Sequence, residues 1–320
     1  MSAILAMAVS VIVRESVAFM TSEKEKRFIR RAFSTYLSAG VVAEIIADPS
    51  KLNLGGEKRE MTVIFTDIKS FSTISESLDP TQLVRMLNRY LTVMSNIIMD
   101  NHGTIDKYEG DAIIAFFGAP LYREDHAMLA CRSAIDMKEA EQELNKELIS
   151  EGLSPSPIFT RIGVNTGEMV VGNMGTDNKM DYTVMGHSVN LAARLEGVNK
   201  MYQTGIIASE FTQKQAGDNF LYRQLDRVRV VGINTPVMLY ELFGITEKAD
   251  QAMINIGQLW KNAMDCYEQQ LFSKAAGIFA DILTQDHNDK AADVFLQRCI
   301  GYANKKFDPS WDGIINLTEK

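Results

Sequence analysis

The sequence predicts an α+β fold: a βαββαβ core with added strands, an N-terminal helix before it and a C-terminal α-helical hairpin after it. Three observations carry this. Between residues 61 and 165, short β-branched and aromatic runs alternate with long helical periodicities in the order strand, helix, strand, strand, helix, strand. Two of these strands are bordered by lone aspartates, Asp67 after the Val63-Ile64-Phe65 run and Asp111 at the Gly110 corner that opens the run to Phe117. From residue 254 to 303 the apolar spacing is purely helical.

Bulk composition narrows the function classes. With 320 residues, 46% hydrophobic and 23% charged, the chain has material for one sizeable core and an appendage. A formal net charge of -8 argues against nucleic acid as a partner. A polyanionic substrate would need locally placed cations or metal. Cys131, Cys266 and Cys299 are scattered and lack CxxC spacing, as expected of reduced thiols in a cytosolic compartment.

Residues 1–20 read as a hydrophobic helix. The apolar run at 2–13 is interrupted by Arg14 and Glu15 before resuming at 17–20, short of the ~20 residues a span needs. No small-residue cleavage site follows, which argues against a signal peptide. The favoured reading is the remnant of a membrane helix, with a cytoplasmic catalytic part and a full-length protein in the cell membrane. A hydrophobic helix packed on a partner is the alternative. Residues 21–54 form a helical connector, with Phe28, Phe33, Tyr36, Leu37, Val41, Val42, Ile45 and Ile46 at helical spacing and Pro49 as its stop. It either pairs with its twin in a dimer or lies on the domain surface.

The main domain is assigned to residues 57–245. Its first strand ends in Asp67 and a polar turn of Lys69, Ser70 and Ser72. A carboxylate at the end of a buried strand is costly unless a cation meets it. A capping or turn aspartate is the plainer reading of one such residue. Two strand-end aspartates together are a common way to hold magnesium against a nucleotide's phosphates. A helix follows from Pro80, with Leu83, Leu87, Tyr90, Met94 and Ile97 as its apolar stripe and Asn101-His102-Gly103 as its stop. Strands at 104–108 and 111–117 form a hairpin about Glu109-Gly110. A long helix from about 125 to 148 leads to a strand at 161–165, and this order implies an antiparallel sheet with helices on one face.

Thr166-Gly167-Glu168 is expected to turn the chain into 169–172, followed by a strand at 181–185. Gly186 then opens a helix that carries Asn190 and Arg194 four residues apart, hence on one face. Its apolar neighbours Val189, Leu191, Ala192, Ala193 and Leu195 predict packing on both sides. A hairpin at 221–231 and 237–243 turns about Gly232 and Pro236, and a polar break at 245–250 marks a domain boundary. Residues 250–306 are similar to a degenerate tetratricopeptide unit, through Trp260, Tyr267, Ala275 and Phe279. One such unit cannot bury its own face, so it should pack on the core, a protein partner or a second copy. In the 307–320 tail, Trp311 is the expected docking residue.

Four ordered motifs now bear on identity: FTDIKSFSTISE (65–76), KYEGDAIIAFFG (107–118), RIGVNTGEMVVGNMG (161–175) and DYTVMGHSVNLAARLE (181–196). With them, residues from about 57 to 243 resemble the catalytic domain of class III nucleotidyl cyclases, whose core is ferredoxin-like. The resemblance implies an adenylate cyclase that converts ATP to 3′,5′-cyclic AMP and pyrophosphate in signal transduction, with two Mg²⁺ (or Mn²⁺) per active site. By position, it makes Asp67 and Asp111 the metal ligands, together with the Ile68 backbone carbonyl. The Lys69, Ser70 and Phe71 amides would cradle phosphates, Asn190 would orient the ribose, and Arg194 would meet charge developing on the transferred phosphoryl. Lys107 and Thr183 would read the base, a lysine donor facing adenine N1 and a threonine oxygen facing the N6 amine. Threonine there resembles the subgroup known for bicarbonate stimulation.

The family assembles each site from two protomers, so a homodimer with two shared sites is implied. Asp67 and Asp111 would come from one copy, and Lys107, Thr183, Asn190 and Arg194 from the other. Two departures stand out: His187 where an aspartate is common, and Ile233 where a lysine is frequent. Arg227 and Arg229 are candidates to replace that lysine's charge. A catalytically silent cyclase-like module, sensing nucleotide or binding a partner, is the alternative. A diguanylate-cyclase-like enzyme would need a Gly-Gly-Asp/Glu-Glu-Phe stretch, which the sequence lacks.

Overall fold

The computed structural model describes residues 54–176, 178–230, 235–303, 305 and 313–317, nearly all within the second of two compact units, Gly56–Lys320. The hydrophobic run at 1–20, the connector up to residue 53, Ile233 and Trp311 fall outside the described residues. Among the described residues no helix is long and apolar enough to cross a membrane.

Strand β1 (Gly55–Ile68) lies between β3 (Ala112–Phe117) and β4 (Thr160–Thr176), so it is largely buried from Met61 onward. It pairs antiparallel with β3, Phe65 opposite Ile114. Two helices follow β1: the short α1 (Phe71–Ser77), then α2 (Pro80–Asp100). Asp79 starts α2 by accepting the Thr81 and Gln82 amides, with Pro80 pre-set for the first turn. Strand β2 (Thr104–Glu109) then pairs antiparallel with β3, and Gly110 makes the corner at φ 67. Helix α3 (His126–Ser150) returns the chain to β4.

Three expectations are corrected. The turn at 166–168 does not form: β4 is one strand of 17 residues through that stretch, buried almost throughout its first half. The sheet is mixed, since β4 pairs parallel with β6 (Ile206–Ser209), a strand too short to carry a legible period. Helices cover both faces. Along β1, Ile64 joins the cluster under α2 and α3, whereas Val63 joins the cluster on the other face with Val189 and Ala192. Period-two alternation is the reason neighbouring residues divide in this way.

Strand β5 (Lys179–Met185) pairs with β4 off the main path, and α4 (His187–Tyr202) and α5 (Glu210–Ala216) flank β6. Strands β7 (Phe220–Val230) and β8 (Val237–Ile245) are antiparallel neighbours, and β9 (Ile315–Leu317) adds parallel to β7. In place of the expected hairpin, three helices lie between β8 and β9: α6 (Gln251–Glu268), α7 (Phe272–Gln285) and α8 (Lys290–Ala303). Their apolar faces share one buried cluster with Leu191, Leu195 and Tyr202 of α4 and Leu225 and Leu239 of the sheet. Polar ties reinforce the seam. Trp260 Nε1 donates to the Gln224 carbonyl at 2.7 Å, Arg223 pairs with Asp289 and Glu241, and Arg298 pairs with Asp226.

Candidate active site

Asp67 is the penultimate residue of β1 and is half-buried, with its carboxylate paired to Arg161 at the head of β4. Arg161 also lies 2.9 Å, Nε to Oε1, from Glu196 of α4, an ion pair whose angle makes no hydrogen bond. Burial raises the Glu196 carboxyl above its ordinary range, with the Arg161 charge opposing it. Arg161 thus joins the end of β1 to the helix carrying Asn190 and Arg194. Sequence reading passed over it. Its signal is a lone cation heading the short apolar run Ile162-Gly163-Val164.

Asp111 opens the turn from Gly110 into β3 and is 8% exposed, accepting the Ile68 amide at 2.8 Å. Its carboxyl is raised by burial and further by the Asp67 charge, against the Ile68 hydrogen bond. A cation beside the pair would relieve that repulsion. The donor set, two carboxylates and the Ile68 carbonyl, is made of hard oxygens and suits Mg²⁺ or Mn²⁺. Among the described residues no group of three or more His, Cys, Asp or Glu side chains is gathered for a metal.

The turn after Asp67 is only partly open to a phosphate. The Lys69 amide already donates to the Phe159 carbonyl at 2.8 Å, which withdraws it from the expected cradle. Ser70 takes a left-handed conformation, φ 57, and Phe71 begins α1, where first-turn amides have no intrahelical acceptor.

Lys107 and Thr183 meet at 3.3 Å, Nζ to Oγ1, although 76 residues separate them. Lys107 is 40% exposed at its side chain. The pair belongs to β2 and β5, while Asp111, four residues after Lys107, belongs to the Asp67 cluster. Asn190 is exposed and Arg194 half-buried on α4. That helix is not packed all round as its composition predicted. Val189 and Ala192 enter one cluster, Leu191, Leu195, Val198 and Tyr202 another, and the strip bearing Asn190 stays open. Helix α4 lies directly on β4 at Gly163, where an added Cβ would fall 2.9 Å from the Leu195 carbonyl carbon and closer still to Ala192 O and Glu196 N.

Comparison with known proteins agrees with this architecture. Residues 56–244 match the family model described as the adenylate and guanylate cyclase catalytic domain. Adenylate cyclase 1 of Rhizobium meliloti is 38% identical over 189 residues, 59% of this chain and 28% of that protein. Among solved structures, the adenylyl cyclase CyaB from P. aeruginosa aligns with TM-score 0.57 and 33% identity, over 62% of this chain and 100% of that one. The guanylyl cyclase Cya2 aligns with TM-score 0.55 and 35% identity, over 62% and 98%. The chain spans less than two-fifths of the length of the curated relatives it matches first. With a family match across most of the sheet and the site built on its central strands, this chain belongs to the adenylate and guanylate cyclase catalytic-domain family.

Proposed function

We propose that the chain is an adenylate cyclase that converts ATP to 3′,5′-cyclic AMP and pyrophosphate at sites shared by two copies. The observation that carries the choice of base is the Lys107–Thr183 contact. An ammonium donor and a hydroxyl oxygen side by side match the N1 acceptor and N6 donor of adenine. Against guanine they would face an N1–H and an O6 in the wrong senses.

In this reading Asn190 orients the ribose and Arg194 offsets charge developing on the α-phosphoryl group. The Ser70 and Phe71 amides would bind β- and γ-phosphate oxygens, and Asp67, Asp111 and the Ile68 carbonyl would hold two Mg²⁺ or Mn²⁺. Bound there, such ions supply a more acidic ribose 3′-hydroxyl and a neutralised triphosphate. Asp111 interacts with Asp67 and Ile68 and not with the Lys107–Thr183 pair, which supports a homodimer in which each site draws on both copies. The same proposal assigns catalysis to 57–245, a tetratricopeptide-like protein-binding role to 250–306, and membrane attachment in a signalling protein to 1–20.

A GTP-using reading is favoured by one observation, the 35% identity to the guanylyl cyclase Cya2. One experiment separates the readings. Purified chain is given ATP and GTP in competition, with Mg²⁺ and with Mn²⁺, and the cyclic products are quantified. Cyclic AMP as the dominant product is expected. Dominant cyclic GMP would reverse the base assignment, and no product with either metal would favour the silent module. Mixing Asp67→Ala with Arg194→Ala protomers should restore activity that neither has alone, and failure to do so would place the whole site in one protomer.

A further inference from the structure

We propose that Asp106 is a positioning residue for base selection: it accepts the Thr183 hydroxyl's hydrogen bond and so fixes Thr183 as an acceptor toward the nucleotide. The proposal rests on the reading of Lys107 and Thr183 as the base contacts.

The backbone supplies the first reason. In a regular strand, residues 106 and 107 point to opposite faces and could not both reach Thr183. The β2–β3 register slips here, with Ile105 opposite Ala115 and Lys107 opposite Ile114, leaving Asp106 as the extra residue of a bulge. Bulges re-aim side chains and gather beside active sites. This one turns two consecutive side chains toward one hydroxyl.

The hydrogen bonding supplies the second. Thr183 Oγ1 donates to Asp106 Oδ2 at 2.7 Å and lies 3.3 Å from the donor Lys107 Nζ. A hydroxyl has one proton and two lone pairs. With the proton donated in a hydrogen bond to Asp106 and one lone pair facing Lys107, only the second lone pair is left, and it accepts an amine but repels a carbonyl oxygen. A threonine without this partner would rotate and donate to guanine O6 as readily as it accepts from adenine N6. Asp106 removes that ambiguity.

A plain counter-ion role for Asp106 fits less well. Its side chain is 3% exposed while that of Lys107 is 40% exposed, so the pair is unequally buried. Oδ1 sits 3.4 Å from Lys107 Nζ, longer than the 2.7 Å bond that Oδ2 accepts from the Thr183 hydroxyl. The shorter contact is the one to Thr183.

The test compares kcat/KM for ATP with that for GTP in the wild-type chain and Asp106→Asn, whose amide can donate to Thr183 and reverse the hydroxyl. The ATP preference should fall by about tenfold, mainly through a higher KM for ATP with kcat little changed. In a Thr183→Val background the same substitution should alter the preference by less than about twofold, because its route of action is gone. Asp106→Ser, which shortens the side chain without reversing any dipole, gives a second reading of the same ratio should Asp106→Asn fold poorly. A preference unchanged in both variants, while Thr183→Val shifts it, would overturn the proposal and leave Asp106 a counter-ion. If Thr183→Val and Lys107→Glu also leave the preference unchanged, the base assignment itself fails and Asp106 loses its role with it.

Discussion

Substituting Gly163 by alanine should abolish the proposed cyclase activity without touching any group assigned to chemistry. Gly163 lies on β4 beneath α4, and a Cβ there meets the Ala192 carbonyl oxygen and the Glu196 amide, both backbone atoms that no rotamer change can move aside. The overlap places the Cβ roughly 1 Å inside ordinary contact, so the helix must recede by about that much. Asn190 and Arg194 ride on this helix, and a displacement of about 1 Å at a positioned group can cost ~100-fold in rate. Overpacking should also remove about 1–3 kcal/mol of stability. The assay is initial-rate cyclic AMP formation with calorimetric melting of the same sample. The expected loss is about 100-fold in kcat, with a smaller change in KM. Gly197→Ala, on the same helix with open space at its Cβ, is the control and should gain about 0.5–1 kcal/mol with unchanged activity. A Gly163→Ala enzyme with near-normal kcat and melting would refute the claim that close approach at this glycine sets the helix's position.

Two other perturbations probe the seam and the core. Asp226 is 4% exposed and is held by Arg298 and by the Tyr202 hydroxyl at 2.6 Å. Arg298→Met should cost about 3–5 kcal/mol and lower Tm by roughly 10 °C. Arg298→Met with Asp226→Asn should recover much of that, and strict additivity in a double-mutant cycle would count against the pairing. Burial lowers the pKa of His126, whose Nδ1 lies 2.8 Å from Thr62 Oγ1, with Glu60 and Asp125 opposing the shift. The unfolded chain therefore binds the proton first. Stability from this residue is full above the unfolded pKa of about 6.5 and is lost as pH falls through the lowered native value. Urea midpoints measured across that acid window should drop for wild type and flatten for His126→Gln; parallel slopes would show that another group dominates.

The legibility of the fold followed the length of each pattern. Helices α2 and α3 were evident because a stripe such as Leu83, Leu87, Tyr90 and Met94 repeats over several turns, and Asp79-Pro80 marks a start that needs no tertiary help. Strand β6 was missed because four residues carry no measurable period. The expected turn at 166–168 rested on a Thr-Gly pair. Gly167 instead sits inside a continuous strand, where a Cβ would meet Ser188 Oγ at 2.6 Å, so the glycine answers to close packing and not to a bend.

The candidate site divides in the same way. Asp67 and Asp111 are short-range features, one at a strand end and one at a glycine corner, and both are legible in the sequence along with the element order as far as the start of β4 and the helical C-terminal region. Arg161 could not be assigned before the fold was known, since the partners that define it, Asp67 and Glu196, are brought to it by β1 and α4. Withdrawal of the Lys69 amide by Phe159, the bulge that turns Asp106 toward Thr183, and the seating of the C-terminal helices on α4 and β7 were likewise tertiary decisions. Periodicity and turn chemistry act over a few residues and are written in the chain. Which side chains share a hydrogen bond across 76 residues depends on strand register, and only the packed sheet decides that.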